Sequence, residues 1–128
     1  MKRKFGLGAL ALVLGAGAMS AAQAYDGDWK RGRIYFRFVC TACHTVEMKK
    51  PVPPNERTKA EWAAYIQADK HGKVTVKHYF SKQYRDSIKA NNAAAAKFAA
   101  VPEQELLEDV KAFLNKGAKD GDAPAGCS

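Results

Sequence analysis

Apolar residues fall on helical spacings along most of the chain. After a polar lead-in, Trp29, Ile34, Tyr35, Phe36, Phe38 and Val39 are dense, and their three- and four-residue offsets fit a helix at least as well as alternation. The pattern predicts a helix over about 29–41, capped by Asp26 or Asp28, whose carboxylate accepts the free N–H groups of a first turn. Pro51, Pro53 and Pro54 exclude helix and mark a loop. A second helix is predicted over 59–70, with Trp62, Ala63, Tyr65 and Ile66 on one stripe. Thr58 and Glu61 open it at capping-box spacing, and His71-Gly72 stops it. From 73 to 80 the pattern alternates, which predicts an extended piece with Val74, Val76, His78 and Phe80 on one inner side. Helix returns over 81–98, supported by Tyr84, Ile88 and the alanine run 93–96, with Asn91-Asn92 as a point of interruption. Pro102 then suits a first helical turn. Residues 103–116 form the strongest amphipathic pattern, with Leu106, Leu107, Val110, Phe113 and Leu114 on one side. Its acids lie early and Lys116 late, as the helix dipole favours. Gly117 ends it, and the polar stretch 118–128 reads as a mobile tail. The expected fold class is all-α. Helices this short cannot bury one another fully, and they require a flat apolar body between them.

The chain start changes the domain picture. Lys2, Arg3 and Lys4 precede an apolar run from Phe5 to Ala18, and Ala22-Gln23-Ala24 supplies the small residues that a signal peptidase reads. This is the three-part pattern of a cleavable secretory signal over 1–24, implying a periplasmic or otherwise exported protein. The run is too short and too rich in Gly and Ala for a spanning helix, so no integral membrane segment is expected after cleavage. An uncleaved amphipathic anchor is the alternative. The folded domain is then 25–117, with 118–128 as its tail. Three of the 21 basic residues lie in the signal, leaving 18 against 13 acids, a net charge of +5. The surplus is spread from Arg31 to Lys119, which suits acidic protein partners and equally a solvated basic face. No aromatic-basic stacking pattern points to nucleic acid.

Of 128 residues, 3 are Cys, and two of them are close together. A disulfide framework does not explain an odd count of this kind. Cys40-Thr41-Ala42-Cys43-His44 is C-x-x-C-H, the attachment signature for c-type haem. Two thiols on one helical turn each bond a vinyl-derived carbon of the porphyrin, and the adjacent imidazole reaches the iron from the same side. A redox Cys-x-x-Cys normally follows a strand in a βαβ unit, and here the pair ends an aromatic-rich helix. A zinc site needs a second ligand pair at matching spacing, which the chain lacks. The motif therefore predicts one covalent haem, with Cys40 and Cys43 as thioethers and His44 as the proximal iron ligand. Cys127, the leftover thiol, suits either an intermolecular disulfide linking two copies or an inert tail.

Around this motif the chain resembles the small soluble class I cytochromes c. Gly32 lies eight residues before Cys40 and Phe36 four before it. That resembles the family's N-terminal helix, whose glycine lets the C-terminal helix cross closely. Asp109-Val110-Lys111-Ala112-Phe113-Leu114 is similar to the family's C-terminal helix, which places an aromatic against that glycine. Pro53-Pro54-Asn55 and the helix bearing Trp62, Tyr65 and Ile66 add to the likeness, which covers roughly 29–117. The resemblance implies a bundle of short helices around one covalent haem, with N- and C-terminal helices crossing. It also implies that a carbonyl of Pro53 or Pro54 orients the proximal His44.

The family's distal ligand is a methionine shortly before the last helix, and this chain has none there. Its one methionine beyond the signal, Met48, follows His44 too closely to reach the opposite face. His71 and His78 are the distal candidates, through a neutral imidazole nitrogen. Either lowers the potential relative to methionine. Trp62, Tyr65, Tyr79 and Tyr84 read as core aromatics first. The function implied is one-electron transfer between redox proteins, with no substrate and no catalytic residue. An open sixth site binding NO, CO or peroxide, and a fixed haem subunit of a respiratory complex, are the alternatives.

Overall fold

Residues 25–126 are described by a computed structural model, in which helix accounts for 60% and no strand occurs among the described residues. Residues 1–24, where the signal is expected, and 127–128, with Cys127, lie outside them.

Helix α1 spans Trp29–Tyr35 and is capped by Asp28, whose side chain accepts the Lys30 and Arg31 amides. Of the two predicted caps, Asp28 is the one used. The helix then widens into a π turn, Phe36–Cys40, closed by the Thr41 amide on the Phe36 carbonyl at 2.9 Å. Such widened turns are rare and recur where a side chain must be re-aimed. Helix α2, Ala42–Val46, carries the rest of the motif. One predicted helix over 29–41 is thus a helix, a π turn and a further helix reaching Val46.

After a short 3₁₀ turn at Pro54–Glu56 comes α3, Lys59–Ala68. Its capping box is complete: Thr58 accepts from the Glu61 amide and Glu61 from the Thr58 amide. Trp62 is buried and Tyr65 and Ile66 are half-buried, but Ala63 faces solvent. The stop comes earlier than predicted, at Asp69, which takes the left-handed conformation at φ 52°.

The alternating stretch is not extended. His71 and Val74 close a single tight bridge, and Lys77–Phe80 is a 3₁₀ turn. Val76 and Phe80 are buried, while Val74 and His78 are exposed. Four-residue spacing had mimicked alternation, because every second member of an alternating set also recurs at i+4.

The predicted helix over 81–98 is two helices, α4 (Lys82–Ile88) and α5 (Ala93–Lys97). They break where the asparagines stand: Asn92 caps α5 and also donates to the Phe38 carbonyl at 2.8 Å. Arg85 of α4 is 1% exposed, and its guanidinium donates to the carbonyls of Phe98, Ala99 and Val101.

Helix α6, Glu103–Gly117, buries the whole predicted stripe from Leu106 to Leu114. Its closest neighbour is α1. A Cβ on Gly32 would stand 2.0 Å from the Asp109 carbonyl oxygen, so only glycine permits this approach. Phe36 and Phe113 pack beside it, ring centres 5.6 Å apart. Asp109 is fully buried in the same seam and accepts from the Asp28 amide, the Tyr25 hydroxyl and Arg31. The tail is not free through residue 125. Lys119 donates to the Arg57 carbonyl at 2.9 Å and Asn55 to the Ala125 carbonyl at 3.1 Å. No helix among the described residues is long and apolar enough to cross a membrane.

Candidate functional site

The π turn and α2 present the motif in two directions. Cys40 and His44 both line a cavity of about 380 Å³. Cys43 is exposed and lines a wider groove of about 1200 Å³ on the neighbouring face, along with Phe38 and Asn92. No disulfide joins Cys40 to Cys43. Burial pushes the Cys40 thiol up to about 12, which keeps its sulfur neutral.

Opposite His44 stands His71. The segment after α3 folds back through Asp69 and a turn at Gly72, whose φ of +61° is readily adopted by glycine. The bridge between His71 and Val74 pins that turn, with amide-to-carbonyl distances of 2.9 and 3.2 Å. The result carries the His71 ring into the cavity, 5.7 Å from the His44 ring between centres and inclined at 65° to it. Burial, and then the nearby His44, hold the His71 imidazole below its ordinary range and favour its neutral form. The Tyr65 hydroxyl is hydrogen-bonded to His71 Nδ1. Tyr79 packs edge-on against the same ring at 5.4 Å.

His78 is placed elsewhere. It is exposed, packs on Tyr79 and Tyr84 at 5.3 and 5.1 Å, and does not line the cavity. The inner side assigned to it from alternation is therefore corrected. Met48 is 60% exposed at the cavity rim. The Pro54 carbonyl accepts the Trp62 indole N–H at 2.7 Å and the Pro53 carbonyl accepts the Glu56 amide at 3.1 Å, so these oxygens serve the loop rather than His44.

Cys40, His44 and His71 fit a haem in this cavity, whereas Cys43, on the neighbouring groove, would have to turn toward it to form a second thioether. Two imidazoles bound to one metal from opposite sides, each nitrogen about 2.0–2.1 Å from the metal and about 1.2 Å from its own ring centre, bring their ring centres to about 6.4 Å. The observed 5.7 Å is shorter by about 0.7 Å, so a small outward shift of the His71 loop would admit the metal. Among the described residues, no three of His, Cys, Asp and Glu gather as a metal-binding group. A metal that brings its own equatorial nitrogens needs only the facing pair. The walls are apolar, with Phe36, Val52, Trp62, Ile66 and Leu114, as a porphyrin face requires. Lys50 and Arg57 also line the cavity, against one acid, Glu56, and suit the two propionate carboxylates.

Sequence reasoning named Cys40, Cys43 and His44 and held His71 level with His78; the structure brings Cys40, His44 and His71 to one cavity and leaves Cys43 and His78 outside it. It did not single out Tyr65, read as a core aromatic, or Arg57, whose guanidinium lies over the Tyr65 and Trp62 rings at 5.3 and 5.5 Å; both line the cavity. A signal for Tyr65 existed: it shares the inner stripe of α3 with Trp62, and its helix stops just before His71. Compared with known proteins, the chain matches no family model, no curated protein and no solved structure.

Proposed function

We propose that this chain is an exported monohaem c-type cytochrome, of the class I kind, that carries single electrons between proteins. Cys40 and Cys43 would hold the porphyrin through thioethers, with His44 as the proximal and His71 as the distal ligand. The observation that carries this reading is the His44–His71 pair, ring centres 5.7 Å apart across an apolar cavity whose wall includes Cys40. When bound, haem supplies an iron that changes oxidation state by one electron.

The remaining chemistry belongs to the chain. As two protein ligands, His44 and His71 would hold the group in one coordination through a change of oxidation state, so that little reorganisation would accompany transfer. Apolar walls exclude water and, with two imidazoles rather than a thioether, tune the potential downward. The close pass of α1 over α6 at Gly32 supports the class I arrangement. The net positive charge suits acidic partners, whose association weakens with salt.

The test is expression with haem-maturation machinery. The expected product is a red protein with one covalent haem by mass and a ferrous spectrum that CO perturbs slowly. His71→Ala is expected to open the sixth site and bind CO at once, whereas His78→Ala behaves as wild type. A colourless product with no added porphyrin mass refutes the assignment. Immediate CO binding by the wild type favours the ligand-binding alternative over the carrier.

A further inference from the structure

Resting on the haem reading above, we propose that Tyr65 positions the distal ligand, its phenol oxygen accepting the Nδ1–H of His71 so that Nε2 is the nitrogen presented to the iron. The tautomer decides the matter. A neutral imidazole has one N–H and one lone pair, and a metal takes the lone pair. The phenol engages Nδ1, which leaves Nε2 as the free nitrogen. A phenol can donate or accept. If it donates, Nε2 carries the proton and cannot ligate; if it accepts, Nε2 is ready.

The hydroxyl is placed by α3 and not by His71. The Tyr65 ring stands edge-on to Trp62 at 6.1 Å and 83°, and Arg57 covers it at 5.3 Å. Tyr65 meets the imidazole edge-on too, at 6.3 Å and 89°. The bond therefore restrains a ring carried on a short loop between two elements, where nothing helical fixes its rotation. An acceptor on Nδ1–H also makes Nε2 more basic, which strengthens the bond to ferric iron more than to ferrous iron.

The experiment compares haem-loaded wild type, Tyr65→Phe and Tyr79→Phe. Tyr65→Phe keeps the ring and removes the hydroxyl bonded to His71. Tyr79→Phe removes the hydroxyl of the other ring against His71, which makes no such bond. Losing a partner of this kind typically weakens ligation about 10–100-fold. Tyr65→Phe is expected to bind CO at least about tenfold faster and to raise the midpoint potential, by about 59 mV for a tenfold loss of ferric preference. Tyr79→Phe should match wild type. In the ferrous wild type, the Nδ1 proton of His71 is expected to exchange slowly with solvent by NMR.

Unchanged potential and CO rate in Tyr65→Phe overturn the proposal, as do equal shifts in both variants or a rapidly exchanging Nδ1 proton. If His71→Ala leaves the spectrum of a red wild type unaltered, His71 is no ligand; this proposal then falls with the distal assignment, while the covalent haem on Cys40, Cys43 and His44 stands. A protein without haem sinks both.

Discussion

Asp109 shows how one side chain ties the start of the domain to its end. It is fully buried, yet it accepts the Tyr25 hydroxyl at 2.6 Å, the Asp28 amide at 2.6 Å and the Arg31 guanidinium. These donors offset the cost of burying a carboxylate. The bond to Asp109, with burial second, raises the Tyr25 pKa and Arg31 opposes it. The protonated phenol is thus favoured in the folded state. Its contribution is whole below the unfolded tyrosine pKa of about 10 and is lost as pH rises through the higher folded value. Denaturant midpoints measured from about pH 8 to pH 11 should fall more steeply for wild type than for Tyr25→Phe; parallel curves refute this latch. The sequence put Leu106, Leu107, Val110, Phe113 and Leu114 on the inner side of α6 and left Asp109 out, yet Asp109 is buried with them. Neither its burial nor its partners were legible, because the partners lie about 80 residues away and only packing selects them.

Packing of α1 on α6 depends on the absence of one methyl group. A Cβ at Gly32 would meet the Asp109 carbonyl oxygen at 2.0 Å and its carbon at 2.4 Å, both main-chain atoms with no rotamer to yield. Gly32→Ala gains about 1 kcal/mol of helix propensity. The forced separation costs more, up to about 3 kcal/mol for overpacking. A net loss of about 2 kcal/mol corresponds to a melting point lower by about 10 °C. An unchanged melting point means that the helices do not approach in this way. At this scale the sequence was readable where local chemistry decides: the Thr58–Glu61 box, the α6 stripe and the asparagine break. It misled where two periodicities coincide. Val76 and Phe80 are four apart and turn inward together, and alternation carried Val74 and His78 with them. The choice between His71 and His78 thus turned on a backbone bend at Asp69 and Gly72 that composition alone does not set.

The elements beside the cavity are fastened together by a segment whose composition gives no hint of it. Residues 118–125 are polar and rich in small side chains, and a free tail is the natural reading. Their attachment is through the main chain, which every residue carries alike. Ala125 donates to the Gly117 carbonyl at 2.9 Å, Lys119 to the Arg57 carbonyl at 2.9 Å, and Asn55 to the Ala125 carbonyl at 3.1 Å. Asp120 accepts the Lys59 amide at 2.8 Å, at the first residue of α3. The strap therefore fastens the end of α6 to the 54–59 stretch, and that stretch supplies Arg57 to the cavity wall and launches the helix bearing Trp62 and Tyr65. Each partly exposed bond is worth about 0.5–1.5 kcal/mol net. Deleting residues 119–128 should therefore cost about 2 kcal/mol and lower the melting point by about 10 °C. The loss should be directional as well: amide exchange should quicken in the first turn of α3 well before it does in α1. If exchange in α3 is unaltered while α1 loosens, the tail supports the domain by some route other than this strap.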